Sequence, residues 1–401
     1  MLSTTKSSAL AELSLPQPDL VSDRTRSHAL FVAIASLVIL LVWAWLFPYT
    51  GEGDSVMHLL NARDALANPK DLLYPWARPL FKVLITPVSG LGVFPARAII
   101  CVVSAFVVYH TIRLAQDLKL PRPLLAGVLL MLHPFVFANA SDTMSELPMA
   151  LGLVLAVRLW INDRKNWSCL LIGFTPMLRP EGFFMAALWG VLCIADVELG
   201  MARFTLRQFA VRNSQFAIRS LLLATGVITW SLLCGLFSKG EFLLWVHAWS
   251  WPMQSYSYYK TGSLLYHVWM WPAYMGLALI VPFCVGCVRL WWTPRLWLPA
   301  TVFAVVFVVH SILFWGHWFA SAGLLRIFAC VGPFTAIITL LGWNLIADAL
   351  AKRASPIAYR AVASFACAFA VGCVLFTYWV DVAHWYTFPR ATARTSSAPS
   401  T

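Results

Sequence analysis

Apolar residues fall in runs of about 20, the length that carries an α-helix across a hydrocarbon core of about 30 Å. Nine such runs stand at roughly 28–48, 96–115, 121–139, 144–162, 220–238, 268–290, 297–315, 325–346 and 357–380. A further apolar stretch, 167–195, is interrupted by Thr175-Pro176-Met177-Leu178-Arg179-Pro180-Glu181-Gly182. Two prolines and a glycine so close together break a helix. A break at membrane depth is tolerated where protein or a cavity covers the freed backbone, so this stretch reads as a hairpin of two short helices. The predicted fold is an all-α polytopic membrane protein of about nine full spans plus the hairpin, about 11 helices in all.

Charge placement orients the array. The first 27 residues are polar, and the run behind them is too long and too late for a cleaved signal peptide, so an uncleaved first span is expected. With the N-terminus in the cytoplasm, Arg113, Lys119, Arg122, Arg158, Arg164, Lys165, Arg289, Arg295, Lys352, Arg353 and Arg360 all collect on that side. This is the positive-inside bias. The hairpin reading also returns Arg203, Arg207, Arg212 and Arg219 to the cytoplasm and sends Arg179 and Glu181 outwards. The chain then divides into a cytoplasmic tail (1–27), a first half (28–195) with an outer loop at 49–95, and a cytoplasmic amphipathic helix (196–219). A second half (220–380) with an aromatic outer loop at 239–267 and a flexible outer tail (381–401) complete it.

Composition sharpens two points. The net charge of +12 is explained by orientation in the membrane and calls for no nucleic-acid partner. The nine cysteines lie almost wholly inside apolar runs, which suits small core residues rather than a disulfide framework or a zinc site.

Only 17 Asp and Glu occur in 401 residues, so carboxylates beside a span need a reason. Gly51-Glu52-Gly53-Asp54-Ser55 follows the first span at once. Asp54 opens an amphipathic helix with Val56, Leu59, Leu60 and Ala67 on its apolar side, and an N-cap explains it as well as chemistry does. Arg78 and Lys82, in an interfacial segment, fit lipid headgroups or a phosphate equally. Asp142 and Glu146, four apart, share a helix face at the start of the fourth span, where the helix dipole alone favours them. Arg326 begins a span and opposes its dipole, a conflict that snorkelling or an anionic partner would relieve. His310 reads as a hydrogen-bonded core histidine. The clusters converge on one predicted membrane face, joined by the Trp/Tyr-rich stretch 245–271 and by His317.

These residues, in this order, resemble the GT-C glycosyltransferases, polytopic enzymes that use polyprenyl-phosphate sugars. The resemblance rests on Asp54 after the first span, Arg-Pro-Leu-Phe at 78–81, Ala-Ser-Asp-Thr-Met-Ser-Glu-Leu-Pro at 140–148, Gly-Phe-Thr-Pro-Met-Leu-Arg-Pro-Glu-Gly at 173–182, and Ser321-Ala-Gly-Leu-Leu-Arg326 before Pro333. It is strongest over 40–195. Many relatives pair two acids, whereas Gly53 here separates Glu52 from Asp54. The resemblance implies a GT-C-like bundle that inverts at the sugar carbon, with mannose a first guess and a glycan, lipid or protein as acceptor. It implies Asp54 as general base with Glu52 in reserve, and Arg326, Arg179, Arg78 and Lys82 at the donor phosphate. Asp142, Glu146, Glu181, His58, Trp249, Tyr256, Tyr259 and His317 are the implied sugar or substrate contacts. No obligatory metal is expected, although Glu52, Asp54, Asp142 and Glu146 could hold a divalent ion. The expected setting is a bacterial inner (plasma) membrane, with the C-terminus outside and lipids as neighbours. A transporter or flippase for a lipid-linked sugar is the rival reading, since broken helices and intramembrane charges also fit transport.

Overall fold

The computed structural model describes residues 18–47, 53–73, 78–198, 206–247, 262–316, 318 and 323–387. Among them there are helices and turns and no strand. In chain order the helices are α1 (Pro18–Leu46), α2 (Gly53–Asp64), α3 (Pro79–Ser89), α4 (Val93–Asp117), α5 (Leu124–Met131), α6 (Pro134–Ala140), α7 (Glu146–Ile161) and α8 (Lys165–Phe174). They continue with α9 (Glu181–Glu198), α10 (Leu206–Phe237), α11 (Leu244–His247), α12 (Tyr266–Met275), α13 (Leu277–Leu290), α14 (Trp297–Trp315), α15 (Gly332–Arg353) and α16 (Pro356–Thr387).

Among the described residues, six stretches are long and apolar enough to cross a membrane: Thr25–Leu46, Val93–Asp117, Asn213–Phe237, Pro294–Trp315, Leu325–Arg353 and Pro356–Trp379. The chain is an integral multi-pass membrane protein. The remaining apolar helices are shorter, because breakers interrupt runs that the hydropathy pattern joins. Pro134 separates α5 from α6, and Gly276, at φ 74°, separates α12 from α13. From Leu206 on, the Arg-bearing segment and the apolar run after it form one helix, α10, since neither Pro nor Gly occurs between Leu206 and Thr225.

The interrupted stretch 167–195 is a hairpin. Lys165 meets Asp196, Cys169 lies 3.6 Å from Cys193 at the sulfurs, and Trp189 donates to Ser168, pairings that run antiparallel. Gly182 makes the turn possible: a Cβ there would stand 2.3 Å from the Thr175–Pro176 backbone.

The bundle is centred on α15, whose apolar window is 94% buried, against 17% for α10 and 11% for α16. The last two helices therefore turn most of their surface to lipid. Close packing on α15 relies on small residues, as helix pairs in membranes commonly do. A Cβ on Gly342 would fall 1.8 Å from the Pro282 carbonyl oxygen, and one on Gly286 would fall 2.0 Å from that of Ile338. Gly342→Leu is therefore expected to force α13 from α15 and lower the melting temperature of the solubilised protein. Gly372→Leu on α16, where a Cβ meets nothing within 4 Å, should leave it unchanged.

Aromatic packing fixes the late part of the chain. Trp271 has the rings of Phe283, Phe303, Phe307 and Phe328 within 5.6 Å. This cluster ties α12, α13 and α14 to the 3-10 turn Leu325–Val331, and so sets where Arg326 stands. Trp271, at the end of the Trp/Tyr-rich stretch, is thus a core residue (6% exposed).

Candidate functional site

The site gathers at one end of the bundle, where α2, α3 and the link between α6 and α7 meet the hairpin tip. Its position begins with Arg97, near the start of α4 and 2% exposed. The last carbonyls of a helix lack partners within it. Arg97 supplies them for α1, donating to Ala44 O at 3.1 Å and Phe47 O at 2.5 Å. Its Nε donates to Ser141 O at 2.5 Å. One guanidinium thereby pins the exit of α1 to the α6–α7 link.

On α2 the buried face is Ser55, His58, Leu59 and Ala62. The amphipathic helix is present, but Val56 and Leu60 are exposed (44% and 42%), and Ala67 lies beyond its end in a turn. The apolar-inward rule fails at a membrane surface, because an apolar face is equally stable against lipid while the polar face closes the site. Asp54, in the first turn, forms an ion pair with Arg326 of the 3-10 turn before α15. The conflict of Arg326 with the helix dipole is met by this carboxylate, whose side chain remains 44% exposed.

Arg78 enters from the N-terminal end of α3 in a left-handed backbone conformation, φ 55°, uncommon for a residue with a Cβ. Its Nη1 donates to Ser145 Oγ at 2.5 Å and lies 3.3 Å from His58 Nε2. Ser145 Oγ also accepts from Arg179 Nη1 at 3.1 Å, so one hydroxyl joins two guanidiniums. Arg179 is spent on two buried carboxylates, Glu146 at 2.7 Å and Glu181 at 2.8 Å. Glu181 in turn lies 3.0 Å from His310 Nε2 on α14. His310 is the hydrogen-bonded core histidine expected of it, and its partner locks α14 to the hairpin tip.

Asp142 and Glu146 do not share a helix face. α7 begins at Glu146, and Asp142 stands before it in a tight turn in which its Oδ1 accepts from Thr143 N at 2.8 Å. Asp and Thr compete well for such local bonds and so delay the helix. Thr143 Oγ1 donates to Ser55 O at 2.8 Å, which holds this turn against α2.

The electrostatics confirm that the cations converge. Burial, with Arg78, Arg326, Arg179 and Lys82 close by, holds His58 well below the usual histidine range, so its ring is neutral. Arg78 is pushed down to about 10 by burial, with Arg179 adding to the shift, and stays charged at neutral pH. Burial raises the Asp142 carboxyl, with Arg97 opposing. Lys82, 2% exposed, donates to Asp71 O at 3.0 Å, and burial lowers it to about 8 against the pull of Asp71 and Asp64. An unfolded lysine titrates near 10.4, so between pH about 8 and 10.4 the unfolded chain binds more protons and stability rises with pH. Thermal melts of the wild type should show that rise, fully absent below pH about 8, and Lys82→Met should flatten it.

Of the residues singled out in the sequence, the structure brings Asp54, His58, Arg78, Lys82, Asp142, Glu146, Arg179, Glu181 and Arg326 to one end of the bundle. Glu52, Trp249, Tyr256, Tyr259 and His317 lie outside the described residues. Sequence reasoning missed Arg97, although a lone Arg inside an apolar run is itself a signal. It also passed over Ser55, Thr143 and Ser145, which carry no charge to attract notice. Among the described residues, no group of three or more His, Cys, Asp or Glu side chains is placed to hold a metal ion. No protein-family model matches the chain, and no curated protein matches it.

Proposed function

We propose that the chain is a membrane glycosyltransferase of the GT-C type, which moves a sugar from a polyprenyl-phosphate donor to an acceptor hydroxyl. The observation that carries this reading is the contact between Asp54, an accessible carboxylate, and Arg326, with Arg78 and Lys82 ringing the neutral His58 nearby. A base for the nucleophile and cations for the leaving phosphate are the two elements such a transfer needs.

In this mechanism the donor phosphate draws Arg326 away from Asp54 and leaves the carboxylate free to act. Asp54 takes the proton of the acceptor hydroxyl as that oxygen bonds to the sugar C1. The C1–O bond to phosphate breaks on the opposite face with inversion, through an oxocarbenium-like transition state. The electron pair stays on the phosphate oxygen, and polyprenyl phosphate departs as an anion stabilised by Arg326 and Arg78. His58, neutral and held by Arg78, orients that cation and meets the sugar. Glu146 and Glu181 act through Arg179 rather than on substrate. No metal is obligatory in this scheme.

The finer topology belongs to the same reading: about nine spans plus the hairpin, the N-terminus in the cytoplasm and the site on the outer face of a bacterial inner membrane. Mannose is the first sugar to try. Binding of polyprenyl phosphate, the product, to purified protein tests the phosphate site. Arg326→Gln should weaken it by about 10- to 100-fold, the size of one or two charge-assisted hydrogen bonds. Unchanged affinity would remove Arg326 from that site.

A further inference from the structure

At the opposite end of the bundle lies a second polar site that the proposed transfer does not use. α7 runs from Glu146 at the first site to Ile161, about 24 Å at 1.5 Å per residue. The loop that follows, the start of α8, the far part of α9 and the middle of α10 line an open cavity of about 600 Å³. Its lining is polar or charged throughout except for Trp167.

Three cations face this cavity: Arg164, Lys165 and Arg219. Asp196 is held between two of them, 2.6 Å from Lys165 Nζ and 2.7 Å from Arg219 Nη1. Asn166 Oδ1 accepts from Arg219 Nε at 3.2 Å, and Lys165 stands 5.6 Å over the Trp160 ring. These bonds fix Lys165 and Arg219 in place. With Asp163 and Asp196 counted against the three cations, one positive charge remains. Arg164 is exposed, and no ion pair engages it among the described residues. A pocket of this volume, with one uncompensated cation at its edge, suits a phosphate group.

The surroundings select the form that phosphate takes. Trp167 is 65% exposed at the rim, where an amphipathic ring marks a membrane–water boundary. Between the cavity and the first site, the same two helices expose Val191 and Ile194 of α9 and Leu221 of α10, so the surface next to the cavity is one that faces acyl chains. We infer that this cavity binds the phosphate headgroup of an anionic lipid, on the membrane face opposite the proposed transfer site.

Full-length protein is incubated in mixed micelles of phosphatidylglycerol and phosphatidylcholine, repurified, and its bound lipid counted by native mass spectrometry. The wild type should retain phosphatidylglycerol about tenfold over phosphatidylcholine, and Arg164→Glu should bring that ratio to about one. Arg164 is exposed, so this change spares the fold, and a melt of the variant checks it. Arg353→Glu, an exposed charge at the end of α15, should keep the preference. Equal retention of both lipids by the wild type would overturn the inference, as would an equal loss in Arg353→Glu, which would mean diffuse surface attraction. Orthophosphate that stabilises the wild type but not Arg164→Glu, without any lipid preference, would assign the cavity to a soluble anion and overturn the lipid.

Discussion

Asp54→Asn is expected to lower the rate of sugar transfer by about 10²–10⁴-fold, the contribution of a positioned general base. The change keeps the side chain's shape and removes only its capacity to take a proton. Its effect on folding should be small. The Asp54 carboxylate is 44% exposed while Arg326 is 7% exposed; Asn keeps a hydrogen-bond acceptor facing that cation, and a melt of the variant checks that the fold is kept. Donor binding should hold or tighten, because Arg326 loses a competing carboxylate. The signature is therefore a fall in kcat with KM for the donor unchanged or lower. Single-turnover transfer by reconstituted protein reads it directly. An unchanged rate would take the role from Asp54 and pass it to Glu52.

The largest stability effect is expected at Arg179→Met. Arg179 is 3% exposed and sits between the buried carboxylates of Glu146 and Glu181. A buried ion pair is a modest source of stability, but removing one partner strands the other charge at about 3–5 kcal/mol. Here two carboxylates are stranded, and Ser145 Oγ loses a donor. The yield of monodisperse protein and its melting temperature should both fall sharply. Glu146→Gln combined with Arg179→Met should recover part of the loss, because only one stranded carboxylate then remains. A wild-type melting temperature for Arg179→Met would show that the hairpin tip does not depend on this cluster.

Much of this arrangement was legible in the sequence, for physical reasons that can be located. Six of the nine apolar runs were legible as spans because a helix must satisfy its backbone internally in lipid, which makes long apolar runs diagnostic. The hairpin was legible because Pro176, Pro180 and Gly182 leave few alternatives to a break. Pro134 and Gly276 carried the same signal more faintly, each alone within a run that otherwise reads as one span. The face of α2 was misread because Val56 and Leu60 turn to the membrane side, where no aqueous phase forces them inward. Asp142 was misread because its turn with Thr143 outweighs the four-residue spacing to Glu146. The convergence of Asp54 on Arg326, 272 residues apart, had no local signal at all. It rests on the Trp271 cluster that seats the turn before α15 and on the Thr143–Ser55 bond that holds α2 against the α6–α7 link.

In the proposed transfer, this end of the bundle cleaves the bond between a sugar and a polyprenyl phosphate. The direct measurement uses proteoliposomes loaded with a polyprenyl-phosphate sugar labelled in the sugar, with a panel of hydroxyl acceptors, followed by chromatography of the lipid. Loss of labelled lipid matched by polyprenyl phosphate and a labelled, inverted glycoside, abolished by Asp54→Asn, is the predicted result. Labelled lipid that crosses the bilayer intact, with no polyprenyl phosphate released by the wild type, would contradict the claim and make the protein a flippase.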